Sequence, residues 1–217
     1  MLFDMVTNNS RLVFNYGSMS SGKSLNLLIK AHNLDEKGIP ILVIKPSIDT
    51  REEAAVVRSR IGIERPCILV DKKTNLFNLA IKNRFCRIIL VDECQFLTAQ
   101  QVDQLAKVVD TIGINVICYG LRTDFKSRLF AGSKRLFEIA DSIEELKSYC
   151  DCGKKAIINA RFDSSGNMIV DGEQIVIGGD DTYRAICREC FFNNLNKISI
   201  NNETSNKEGD NDKEIQP

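Results

Sequence analysis

The segment Gly17-Ser18-Met19-Ser20-Ser21-Gly22-Lys23-Ser24 constrains this chain more than any other. It has the form G-x-x-x-x-G-K-[ST], in which every fixed position has a phosphate-binding reason. The two glycines let successive backbone N–H groups turn inward on an anion, Lys23 supplies a mobile cation and Ser24 a hydroxyl for Mg²⁺. A Gly/Ser-rich turn of no chemical consequence would satisfy the same letters, so the flanks decide. Arg11 to Tyr16 reads as a strand before the loop and Ser24 to Ala31 as a helix after it, which aims a helix N-terminus at the phosphates. The loop is built to hold a nucleoside triphosphate.

Beyond this helix the chain repeats the strand–helix–strand order of a parallel sheet. Ile41-Leu42-Val43-Ile44 reads as a second buried strand closed by Pro46, which makes a βαβ unit with a right-handed crossover. Residues 47–64, charged and weakly periodic, read as a mobile or partly helical segment near the site, or as an ordinary solvated connection. Cys67 to Val70 reads as a short strand and Leu76 to Lys82 as a short helix. Arg87-Ile88-Ile89-Leu90-Val91 is an apolar run ending in Asp92-Glu93, an acid pair at the end of a buried strand downstream of a P-loop. In that setting Asp92 would hold Mg²⁺ and Glu93 would reach outward as a base. The plainer alternative is that the two acids cap the helix expected from Thr98 to Asp110. A further buried strand, Asn115 to Tyr119, runs into Gly120-Leu121-Arg122-Thr123-Asp124-Phe125 at its carboxyl end, where α/β proteins place substrate loops. On periodicity alone, Phe96 and Phe125 read as core residues. A helix from Lys134 to Ala140 and a strand from Glu144 to Tyr149 complete the α/β sheet domain, residues 1–149.

The character changes at residue 150. Four of the eight cysteines are scattered, at 67, 86, 94 and 118, whereas Cys150-Asp151-Cys152 and Cys187-Arg188-Glu189-Cys190 form two close pairs. Two pairs on turns suit a closed, tetrahedral Cys₄ zinc site stapling a small subdomain, residues 150–192, too poor in apolar residues to fold unaided. Four reduced, unliganded thiols are the alternative, and the C-x-C spacing of the first pair is tighter than the usual C-x-x-C. Between the pairs, Ile175 to Tyr183 reads as a strand running into a glycine turn. The last segment, 193–217, is almost devoid of apolar residues from Asn201 and reads as a largely disordered tail.

Composition narrows the partners. Among 217 residues, Lys plus Arg and Asp plus Glu number 29 each, and a zero net charge argues against the basic footprint of a nucleic-acid binder. No run of apolar residues reaches membrane-spanning length and the N-terminus lacks a signal-peptide pattern, so the chain reads as cytoplasmic, with its cysteines reduced or metal-bound.

The P-loop, Asp92-Glu93-Cys94-Gln95-Phe96, the loop Gly120 to Phe125 and the paired cysteines occur together in the order found in type II thymidine kinases, and over about residues 10–192 the chain resembles that family. The resemblance implies an ATP-dependent kinase acting on the 5′-hydroxyl of thymidine. Gly17 to Ser24 would bind the phosphates, Ser24 and Asp92 would position Mg²⁺, and Glu93 would be the general base. Asp49 and Arg51 match the family's D-x-R segment, whose arginine stabilises phosphate charge. Met19, Phe96, Leu121 and Phe125 would form the thymine pocket, with Val176 and Tyr183 on a lasso closing over it. Cys150, Cys152, Cys187 and Cys190 would hold structural Zn²⁺. A homotetramer and feedback inhibition by dTTP are further implications, with no role for membrane or nucleic acid. The chain departs from the family at Arg122, often an acid, at the C-x-C pair, and at Asn159, often Thr beside the base. The competing reading is a nucleic-acid-dependent P-loop ATPase with a zinc ribbon, because Asp92-Glu93-Cys94-Gln95 also resembles a helicase D-E-x-Q box.

Overall fold

A computed structural model describes residues 10–47, 55–174 and 183–198. Six strands form one parallel sheet: β1 (Leu12–Tyr16), β2 (Ile41–Pro46), β5 (Ile68–Val70), β6 (Ile88–Val91), β7 (Asn115–Gly120) and β8 (Ser142–Glu145), in the order β5-β2-β6-β7-β1-β8. Each adjacent pair is parallel. The apolar runs are continuous because the central strands are covered on both faces; every residue of β6 and of β7 is buried.

The strand pleat divides those side chains between two cores. Leu12, Phe14, Ile89, Val91, Val116 and Cys118 face one way and pack with helices α2 (Leu76–Lys82), α3 (Ala99–Ile112) and α4 (Ala131–Ile139). Val13, Ile88, Leu90, Ile117 and Tyr119 face the other and pack with Leu27, Leu28, Ala31 and Leu34 of α1 (Lys23–Asp35). Helices on both faces of a parallel sheet leave the strand carboxyl ends open as the place for a ligand.

Local sequence accounts for the helix ends that shape that edge. Gly22, at φ 76°, supplies the left-handed residue that turns the chain from loop into α1. Thr98 caps α3 through its hydroxyl on the Gln101 amide, reciprocated by the Gln101 side chain. The capping role therefore belongs to Thr98, and a 3₁₀ turn, Cys94–Phe96, separates Asp92 and Glu93 from the helix, which they do not cap.

Two expectations are corrected. The described part of 47–64 is not helical: β3 (Val56–Arg58) and β4 (Glu64–Pro66) form an antiparallel hairpin, with Arg58 opposite Glu64 in an ion pair. The charges that obscured periodicity are cross-strand partners, and Val57 is buried against α1. The strand expected over 144–149 is divided between two sheets, since β8 pairs with β1 whereas β9 (Ser148–Tyr149) pairs with β10 (Lys155–Ala156). Leu146 donates its N–H to the Tyr16 carbonyl at 2.7 Å, and the chain leaves the main sheet just beyond it.

Beyond that point, β11 (Ile158–Phe162) pairs antiparallel with β12 (Met168–Ile169) and β13 (Tyr183–Ile186), and the chain is helical over 188–198. Their small core holds Ala156, Ile158, Ala160, Phe162, Met168 and Ile186 together with Cys150 and Cys187.

Candidate active site

The P-loop joins the carboxyl end of β1 to α1, and so lies at the open edge of the sheet. Lys23 is 8% exposed, and its Nζ donates to the Ser18 carbonyl at 2.7 Å, lying 3.4 Å from both the Gly17 carbonyl and Ser21 Oγ. Burial lowers its pKa, Glu93 and Asp92 oppose that, and the positive charge of Arg60 adds to it. An anion entering the loop would replace the carbonyls as the partner of this ammonium.

Asp92 stands at the end of β6, 4% exposed, and accepts from Ser24 Oγ at 3.1 and 3.3 Å. A serine hydroxyl and a carboxylate brought together beside a phosphate loop are the oxygen donors that Mg²⁺ selects, usually keeping several waters of its own. Burial, then repulsion from Glu93, pushes Asp92 up to about 7, and the Ser24 hydrogen bond works against that rise. Glu93 itself has φ 51°, a left-handed conformation that costs a non-glycine residue about 1 kcal/mol or more and aims its side chain away from the strand. Gln95 Nε2 donates to Glu93 Oε2 at 2.5 Å, while Gln95 Oε1 accepts from the Leu121 amide at 3.0 Å. One buried amide thus orients the carboxylate and fixes the loop after β7. Sequence reasoning passed over Gln95 although it lies inside the Asp-Glu-Cys-Gln-Phe segment.

Lys23, Ser24, Glu93 and Gln95 share a cleft of about 680 Å³ with all five of the described residues expected around a nucleobase: Met19, Phe96, Leu121, Phe125 and Tyr183. Phe125 is also buried as a core residue would be, 2% exposed, with the Arg161 guanidinium 4.3 Å from its ring centre. Phe96 meets Phe130 edge-on at 5.6 Å. Asp49, Arg51 and Val176 lie outside the described residues, as does the glycine turn.

Four features of the cleft belong to no contiguous motif. Asn159 on β11 accepts the Met19 amide on Oδ1 at 2.7 Å and donates through Nδ2 to the Thr123 carbonyl at 3.2 Å, tying the phosphate loop to the small subdomain. Gln174 donates to Asp124 Oδ2 at 2.9 Å, bringing the end of the described subdomain onto the loop after β7. Lys45 lines the wall, and so does the β3–β4 turn through Ser59, Arg60 and Ile61. Arg122 is not among the residues lining this cleft and donates to the Ile157 carbonyl at 3.4 Å.

In the small subdomain, the Sγ atoms of Cys150, Cys152, Cys187 and Cys190 lie within 4.8 Å of one another, with Cys152 and Cys187 at 3.6 Å. A tetrahedron with Zn–S bonds of about 2.3 Å has edges of about 3.8 Å, so the four thiols fit such an ion with little movement. The tight C-x-C spacing does not keep Cys150 out of the group. Four sulfur donors leave no open position for catalysis.

A family model described as thymidine kinase matches residues 10–191. Among curated proteins, the thymidine kinase of Enterobacteria phage T4 is 46% identical over 191 residues, spanning 86% of this chain and 97% of that protein. The thymidine kinases of Shouchella clausii and Zymomonas mobilis are each 45% identical, covering 83% and 87% of this chain and 95% and 100% of theirs.

Proposed function

The chain belongs to the thymidine kinase family, and from that premise we propose that it transfers the γ-phosphate of ATP to the 5′-hydroxyl of thymidine, giving thymidine monophosphate. The observation that carries this reading is the convergence of Lys23, the Ser24–Asp92 pair and the Gln95-held Glu93 on one cleft with the aromatic residues. In-line phosphoryl transfer needs those parts: a cation, oxygen donors for the metal, a base, and alignment of the two reactants.

Glu93 takes the proton of the 5′-hydroxyl as its oxygen forms a bond to the γ-phosphorus. The bond from that phosphorus to the β-bridging oxygen breaks, and its electron pair leaves on ADP. Ser24 and Asp92 would hold the Mg²⁺ that accompanies ATP, which would supply positive charge to offset that of the phosphates. The P-loop, Gly17 to Ser24, cradles the phosphates through the amides that the Gly120 carbonyl and Asn159 do not already hold, with Arg51 assigned to the same anion. Met19, Phe96, Leu121 and Phe125 enclose the thymine ring, whose flat face suits aromatic and aliphatic walls. Val176 and Tyr183 belong to the segment proposed to close over it. Cys150, Cys152, Cys187 and Cys190 would hold a structural Zn²⁺, which would keep β11, and with it Asn159, against the phosphate loop. Thiolate ligands suit a reducing compartment, hence a cytoplasmic enzyme. Residues 1–149 and 150–192 act as nucleotide domain and lasso subdomain, and 193–217 is the C-terminal segment, whose described part, 193–198, continues the helix from 188. A homotetramer and inhibition by dTTP complete the proposal.

The test is ADP release from ATP and Mg²⁺ by the zinc-replete protein, with thymidine, deoxycytidine, deoxyadenosine and single-stranded DNA added separately. Stimulation by thymidine supports the kinase. Stimulation by DNA alone would return the reading to a nucleic-acid-dependent ATPase, which the relatives do not favour.

A further inference from the structure

The β3–β4 turn is built to hold a side chain still. Ser59, 6% exposed, donates its N–H to the Ile63 carbonyl at 2.8 Å, its hydroxyl contacts the same carbonyl at 3.1 Å, and it accepts the Ile63 amide at 3.2 Å. The Gly62 amide donates to the Ser59 carbonyl at 3.1 Å. Beneath the turn, Val57 is fully buried against α1. Three arginines project from this hairpin. Arg58 is held by Glu64 and Arg65 by Asp35, both outside the phosphate loop. Arg60 alone of the three reaches the loop, its Nη1 donating to Ser20 Oγ at 2.6 Å, and it lines the cleft with Lys23, Ser24 and Glu93.

We infer that Arg60 is a catalytic residue whose guanidinium meets the terminal phosphate of the bound nucleotide and stabilises the charge on it during transfer. The inference deepens the kinase reading and rests on it. An arginine–phosphate contact is charge-assisted and commonly two-pronged, so a phosphate oxygen outcompetes the neutral Ser20 hydroxyl for the same donors. Because the turn is already closed by Ser59, the charge is in place before the reaction begins. As the 5′-oxygen bonds to the γ-phosphorus and the bond to ADP breaks, Arg60 keeps donating to the non-bridging oxygens. No proton moves to or from it; the hydroxyl proton goes to Glu93.

The test compares R60A and R60K with wild type in the full-length, zinc-replete protein. The readouts are kcat and thymidine KM, and calorimetric affinities for Mg·ATP and Mg·ADP. For R60A, kcat is expected to fall about 10³-fold, at the lower end for arginines that act on a transferring phosphate, with thymidine KM within about twofold of wild type. ATP affinity should fall more than ADP affinity. R60K should recover nucleotide affinity better than kcat, because an ammonium restores charge without the fork. Wild-type kcat in R60A, or equal losses for ATP and ADP, would overturn the assignment, the latter making Arg60 a brace for the loop through Ser20. Absence of thymidine-dependent turnover in wild type would sink the kinase reading by itself, and a preserved ATP-over-ADP preference in R60A would still sink the role given to Arg60.

Discussion

Gln95 holds Glu93: the amide Nε2 sits 2.5 Å from one carboxylate oxygen, and the same side chain, 2% exposed, receives the Leu121 amide on its Oε1. A carboxylate on a left-handed residue at a strand end has several rotamers open to it, and this contact selects one. Replacing Gln95 by Met keeps the volume and removes both hydrogen bonds. We expect kcat to fall about tenfold to a hundredfold with thymidine KM changed less, since positioning errors at the base act mainly on the transition state. A steady-state comparison with wild type decides it; an unchanged kcat would leave Gln95 with a purely structural part.

Glu93→Gln is the sharper version of the same experiment. It preserves shape and a polar contact to Gln95 while deleting the basic oxygen. Turnover is expected to drop about 10²–10⁴-fold, the range a general base contributes, while ATP binding by calorimetry stays close to wild type. Retained turnover would take Glu93 out of the base role.

How legible was this site before the structure? The parallel sheet was readable because strands buried on both faces give unbroken apolar runs such as Ile88 to Val91, and the P-loop and acid pair because their chemistry is contiguous in the chain. The cysteine pairs were readable for the same reason. The β3–β4 hairpin was not, since its strands are three residues each and its charges pair across it rather than along it. Asn159 and Gln174 carry no local pattern; they matter only because the small subdomain is laid against the P-loop and the loop after β7. Gln95 could have been found by asking what would hold a glutamate at the end of a strand.

Asp92 gives a pH prediction. Its folded pKa, about 7, exceeds the unfolded value near 4, so the folded state binds this proton more tightly. The contribution to stability is fully present below about pH 4 and is lost as pH rises toward 7; above that, the ionised carboxylate carries a penalty on the order of 4 kcal/mol. Asp92→Asn removes the charge and keeps an oxygen for the Ser24 hydroxyl. Without nucleotide or Mg²⁺, the variant should melt several degrees above wild type at pH 8 and close to it at about pH 4, with kinase activity lost. Equal melting temperatures at pH 8 would contradict the burial argument.

The thiol cluster predicts one zinc per chain. Because all four Sγ atoms converge, C150S should lower zinc content as severely as C187S, measured by metal analysis after gel filtration. Activity should fall with the metal, through loss of the Asn159 contact to the Met19 amide rather than through any step at zinc. Full zinc retention in C150S alone would mean a three-cysteine site.

Gly132 tests how Gln95 is itself supported. On helix propensity alone, replacing this residue of α4 by Ala would stabilise the chain by up to about 1 kcal/mol. The geometry reverses the sign. A Cβ there would lie 2.4 Å from the Cys94 carbonyl oxygen, 2.8 Å from that of Leu97 and 3.1 Å from that of Gln95, all backbone atoms of the 3₁₀ turn and its end. Backbone cannot rotate out of the way as a side-chain tip does, so the turn must shift as a body. We expect G132A to cost about 1–3 kcal/mol, a fall in melting temperature of roughly 2–4 °C per kcal/mol for a chain of this size. Since the displaced turn carries Gln95, kcat should fall alongside stability even at temperatures where the variant is fully folded. A Gly132→Ala protein that melts higher than wild type and keeps its kcat would show that α4 and the turn do not press together as described, and the support for Glu93 would have to come from Leu121 instead.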